Sequence, residues 1–122
     1  EIVVDGKGRP GAEAVEEATW IERVTVEPPP DPLLVSTLGR GEADAIALAV
    51  RRHACLLIDE RAGRRTARVI YRLHVRGSVG TLVLAKRRNL IPRIRPLLED
   101  LQRQGYFLSR ALIDAACREA GE

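Results

Sequence analysis

The sequence of 122 residues predicts an α/β fold built on a largely parallel sheet. Three observations lead there. The short, continuous apolar run Cys55-Leu56-Leu57-Ile58 has the character of a strand covered on both faces. Segments of helical periodicity flank it, at about Glu42 to Arg52 and at residues 60–72. A second short strand, His74 to Gly77, follows the latter segment, so strands and helices alternate.

Taken in order, Gly6, Gly8, Pro10 and Gly11 mark a loop. Ala12 to Trp20 reads as a short helix exposing Glu13, Glu16 and Glu17. Ile21 to Val26 alternates apolar and polar residues, as a half-buried strand does. Pro28-Pro29-Pro30-Asp31-Pro32 ends it, and a short helix covers Leu33 to Thr37. Gly39 and Gly41 punctuate before the helix from Glu42. In the helix of residues 60–72 the spacing places Ala62, Thr66, Val69, Ile70 and Leu73 inward. Arg61, Arg64, Arg65, Arg68 and Arg72 form the outer stripe. Val79 to Arg88 is helical, with Leu82, Val83 and Ala85 available to the core. Pro92 to Gln104 is a further helix stopped by Gly105, and Ser109 caps a last one through Ala120.

Composition is that of a single globular domain: 45% hydrophobic, 30% charged and only 3% aromatic. The apolar runs are too short to span a bilayer, and none of these residues reads as a signal peptide. Cys55 and Cys117 form no metal-ligand spacing and read as reduced thiols of a cytoplasmic protein. Residue 1 is Glu and the chain contains no Met, so an upstream segment is expected. Net charge is only +3, but its distribution is uneven. Residues 1–60 hold twelve acids against six bases, while residues 61–98 hold eleven bases and no acid. Such a stretch is a footprint for nucleic acid, or a solvated basic face that meets an acidic protein.

Several chemistries are poorly supported. Ser36, Ser78 and Ser109 lack a nucleophile-elbow context. Gly6-Lys7-Gly8 is too short for a phosphate loop, and His53 and His74 are isolated. Two acids stand out instead. Glu42 shares a helical face with Ala45, Ile46 and Ala49, where a carboxylate is costly unless paired or metal-bound. It also lies near a helix N-terminus, where a carboxylate is stabilised by the dipole. Asp59 ends the buried strand, where α/β ligands bind, and can equally be an N-cap. Asp44 falls about 200° round the helix from Glu42. It is expected to face solvent or Arg51, and Glu60 falls in a first helical turn.

Two blocks, Leu38-Gly39-Arg40-Gly41-Glu42-Ala43-Asp44-Ala45-Ile46-Ala47-Leu48-Ala49 and Leu57-Ile58-Asp59-Glu60-Arg61-Ala62-Gly63-Arg64-Arg65-Thr66-Ala67, resemble the PIN-domain family. The run Gly77 to Pro92 resembles one branch of it, small bacterial and archaeal nucleic-acid-binding proteins and VapC-like toxins. The resemblance implies a three-layer fold, a parallel sheet flanked by helices, and a metal-dependent endoribonuclease. In that family acidic residues gather Mg²⁺ or Mn²⁺ at the carboxyl edge of the sheet. Carried over by position, Glu42, Asp59 and Glu1 would be metal-binding and catalytic acids. Arg61, Arg64, Arg65 and Arg68 would hold flanking phosphates of RNA. The family's first acid, at the end of its first strand, has no counterpart here, so the domain is expected to be N-terminally incomplete. A protein antitoxin and homodimerisation are further implications. The alternative is a catalytically inactive PIN-like module that binds RNA or protein.

Overall fold

The computed structural model describes Gly8 and residues 11–122. Glu1 and the apolar run after it lie outside the described residues. The described chain is rich in helix and carries one small parallel sheet. Its elements are α1 (Ala12–Glu17), α2 (Pro32–Leu38), α3 (Arg40–Arg52), β1 (Leu56–Leu57), α4 (Arg61–Val69), β2 (Val75–Arg76), α5 (Ser78–Arg87), α6 (Arg95–Arg103) and α7 (Arg110–Glu119).

β1 and β2 pair in parallel, Leu56 opposite Val75 and Leu57 opposite Arg76. The connection between them is α4, the helical crossover that a parallel pair requires. The bonds Leu56 N–H to His74 O (2.8 Å) and Ile58 N–H to Arg76 O (3.0 Å) extend the ladder at both ends.

Two apolar clusters organise the molecule. Ile46, Ala49, Leu56 and Ala67 join α3, β1 and α4, with Leu34, Leu38, Ile58 and Leu73 packed round them. Val83, Ile94, Leu98, Ile113, Ala116 and Cys117 join α5, α6 and α7. Glu122 ties the second cluster together, accepting from the Ile94 N–H at 2.6 Å and the Arg95 N–H at 3.2 Å. Burial raises the Glu122 pKa, but these bonds outweigh it and hold the carboxyl below its ordinary value.

Helix boundaries follow local chemistry. Asp31 caps α2, accepting from the Leu33 N–H at 2.7 Å, with Pro32 in the first turn. Gly39 ends α2 and begins α3 with φ of 92°, a left-handed conformation that a side chain would strain. Ser109 caps α7 as expected, accepting from the Leu112 N–H at 3.1 Å.

Three expectations are corrected. Residues 21–26 form no strand with any of the described residues. An extended segment becomes a strand only when a neighbour supplies ladder bonds. Glu22 is held instead by side-chain bonds of 2.6 and 2.9 Å from Arg52. β1 is not covered on both faces, since Leu56 is buried while Leu57 is 65% exposed. The inner face of α4 is Gly63 and Ala67, whereas Val69 and Ile70 are 66% and 68% exposed. The helix ends at Val69, and Arg72 at φ 53° turns the chain so that Leu73 re-enters the core. Helical phase therefore cannot be extrapolated to residues 70–73.

Candidate functional site

β1 delivers Asp59 to its carboxyl end, and β2 delivers Gly77-Ser78 to the corresponding end beside it. The two meet. Asp59 Oδ1 accepts from the Ser78 backbone N–H at 2.8 Å, and Oδ2 accepts from the Ser78 hydroxyl. Asp59 thus satisfies the first free N–H of α5 rather than one of α4. The N-cap of α4 is Glu60, which accepts from the Ala62 N–H (2.8 Å) and the Gly63 N–H (2.6 Å). Those backbone bonds from Gly63 and Ala62 hold the Glu60 carboxyl below its ordinary value.

Gly77 makes the junction possible. A Cβ there would collide with the Arg64 guanidinium and with Asp59 Oδ1, so the guanidinium and the carboxylate both crowd the bare backbone. Arg64 Nη1 also lies 3.5 Å from Ile58 O, and Arg68 Nη2 donates to Val75 O at 3.2 Å. Two members of the arginine stripe therefore reach the sheet edge, Arg64 half-buried and Arg68 exposed. Arg61 and Arg65 are exposed. Asp59 forms no ion pair among the described residues.

Asp59, Arg61, Arg64, Arg65 and Arg68 line one open cleft of about 1020 Å³. Its near wall is α4 and β2, and its far wall is α5 and α7, so it separates the two apolar clusters. Arg76 and Arg87 add positive charge, and Glu119 is its other acid. Six arginines facing two carboxylates make the cleft a site for a polyanion.

Glu42 is not among the residues that line this cleft. It is half-buried in the first turn of α3, and its Oε2 would lie 3.3 Å from a Cβ at Gly39. The helix that carries it packs on β1. Asp44 pairs with Arg40 at 2.8 Å, not with Arg51, whose guanidinium donates to Pro28 O. One Asp44 oxygen, Oδ1, is buried with no hydrogen-bond partner among the described residues. Among the described residues no three His, Cys, Asp or Glu side chains come close enough to share a metal ion. Glu1, the third acid expected, is not among those residues.

Sequence reasoning missed Ser78, dismissed for want of a nucleophile context. Its signal was position: a Gly-Ser directly after a strand and before a helix. It also missed Tyr106 and Phe107, which line the cleft as well. Their signal was an aromatic pair beside the helix-stopping Gly105.

A family model described as a PIN domain matches residues 1–122. No curated protein and no solved structure matches the chain.

Proposed function

Since the chain belongs to the PIN-domain family, we propose that it is a metal-dependent endoribonuclease whose cleft holds RNA beside Asp59. One observation carries this reading: the carboxylate at the end of β1 opens on the same cleft as Arg61, Arg64, Arg65 and Arg68. Asp59 suits a hard divalent cation, Mg²⁺ or Mn²⁺. Each of its oxygens takes one hydrogen bond from Ser78, which leaves a lone pair on each to bind the ion. Glu42 and Glu1 are the further oxygen ligands of this proposal. When bound, the ion would supply an activated water and offset charge on the leaving oxygen.

The chain's own residues do the rest. Ser78 fixes the rotamer of Asp59, so the carboxylate is oriented before substrate arrives. The arginines bind and orient the phosphates on either side of the scissile bond. The three-layer arrangement, with a further strand upstream carrying another acid, belongs to the same proposal. So do the toxin role, an antitoxin partner, a homodimer and a cytoplasmic site of action. These rest on the resemblance of residues 38–92 to the family. No helix among the described residues is long and apolar enough to cross a membrane.

The test is cleavage of a mixed RNA pool by the full-length protein with Mn²⁺ and with chelator. Cleavage should require Mn²⁺ and should fall about a hundred-fold or more in Asp59→Asn, whose amide oxygen still accepts from the Ser78 N–H while its amide nitrogen donates to the Ser78 hydroxyl oxygen. Equal cleavage with chelator, or undiminished cleavage by the variant, would sink the metal mechanism. A second reading has its own observation, the capping of α5 by Asp59, which would place the residue there without catalysis. RNA binding with no cleavage under any metal would establish that non-catalytic module.

A further inference from the structure

The chain has only four aromatic residues, and two of them, Tyr106 and Phe107, stand at the arginine-lined cleft. Phe107 is fully exposed at 101%, and Tyr106 is 46% exposed. An apolar ring standing wholly in water contributes nothing to folding by burial. The backbone that carries it is nevertheless tied down. The Leu108 N–H donates to Tyr106 O at 2.9 Å, which closes a three-residue turn with Phe107 at its tip. The Tyr106 N–H donates to Leu101 O at 3.0 Å, and Gln102 Nε2 donates to Leu108 O at 2.6 Å. Leu108 packs on the C-terminal cluster, and Ser109 begins α7 immediately after. Both ends of the turn are anchored, so the ring is presented rather than dangling.

We propose that the Tyr106-Phe107 turn is a base-stacking subsite, which takes an unpaired base of an RNA strand whose phosphates lie on the arginines. The inference rests on the RNA reading of the cleft. Single-stranded nucleic acid offers a charged backbone and free π-faces, and grooves that bind it combine cations with aromatic platforms. This cleft has both: Arg61, Arg64, Arg65 and Arg68, with Asp59, and the two rings among its lining residues. A duplex would hide its base faces from the turn. An acidic peptide would match the arginines but would leave no reason for a fully exposed ring on the same cleft.

The experiment measures binding of the full-length protein in chelator, so that no strand is cut. The probes are a fluorescein-labelled ten-nucleotide oligouridylate and an abasic ribose-phosphate strand of equal length. Tyr106→Ala/Phe107→Ala should weaken oligouridylate binding about ten-fold or more and leave the abasic strand unchanged. Arg65→Ala/Arg68→Ala should weaken both strands. Because Phe107 is fully exposed, the single variant Phe107→Ala removes no buried contact, so its thermal melt should match that of the parent while it still weakens oligouridylate binding and spares the abasic strand. A second readout places a tryptophan at the tip, Phe107→Trp, in a Trp20→Phe background that removes the native indole. Its fluorescence should be quenched by oligouridylate and not by the abasic strand.

The inference is overturned if the aromatic double variant binds oligouridylate as the parent does, or loses both strands equally. It is also overturned if the double variant changes only the oligomeric state, which would assign the turn to a second copy. Its fate separates from that of the nuclease reading. Base-dependent loss without Mn²⁺-dependent cleavage leaves a stacking subsite on a binding module. Cleavage with no base-dependent loss leaves a nuclease without the subsite.

Discussion

Asp59 and Ser78 lie nineteen positions apart in sequence yet share two hydrogen bonds. Replacing Ser78 with Ala removes one of them. It should lower stability by about 1 kcal/mol, read as a shift in urea midpoint at unchanged slope. Gly77 is the more informative position, because a side chain there meets the Arg64 guanidinium and Asp59 rather than core packing. The φ of −108° is open to any residue, so Gly77→Ala should fold. It should displace Arg64 from the cleft and weaken RNA binding as Arg64→Ala does. A Gly77→Ala protein with parental RNA affinity would show that the seat of Arg64 is irrelevant to binding. At this scale the sequence marked Asp59 well, since a carboxylate ending an apolar strand is exposed by geometry. It could not mark Ser78, because no local pattern says which residue a second strand will deliver. The buried oxygen of Asp44 was equally illegible, since helical phase places the Cβ but not the atoms that cover it.

Among elements, α4 shows how a helix is set by its ends. Glu60 caps it through the Ala62 and Gly63 N–H groups, and this lowers the Glu60 pKa. A carboxyl lowered in the folded state contributes stability above its unfolded pKa and loses it as pH falls through the folded value. The pKa values of Glu22 and Glu122 are lowered as well. The urea midpoint should therefore hold from neutral pH down to roughly pH 5 and fall below it. Glu60→Gln should flatten part of that fall, and an identical acid limb in the variant would remove Glu60 from the account. Ser109→Ala should cost about 1 kcal/mol, as loss of an N-cap does. The sequence located every helix of the described residues, because caps and 3.6-residue periodicity are local. Its inner face for α4 failed because small residues, Gly63 and Ala67, make the close contact. Hydropathy favours larger ones. The segment 21–26 failed because strand formation needs a partner that alternation alone cannot supply.

For the whole molecule, two apolar clusters flank an arginine-lined cleft. Leu98 is fully buried in the C-terminal cluster, and Leu98→Ala should cost about 2–5 kcal/mol of unfolding free energy. The cleft makes a different forecast. Arg64→Ala/Arg68→Ala should weaken RNA binding and reduce the slope of log affinity against log salt by roughly one to one and a half. An unchanged slope would assign the stripe to a protein partner or to solubility. The sequence by itself determined the helices, the parallel β1–α4–β2 unit and the concentration of bases in residues 61–98, all properties of contiguous residues. Only the tertiary structure decided what faces what. It set Asp59 against Ser78, brought Arg64 and Arg68 to the sheet edge and put the Tyr106-Phe107 turn on the cleft that Asp59 lines. The physical reason is that these contacts depend on how segments distant in sequence pack against one another. That packing is governed by side-chain volume and close approach across distant segments, which no local pattern encodes.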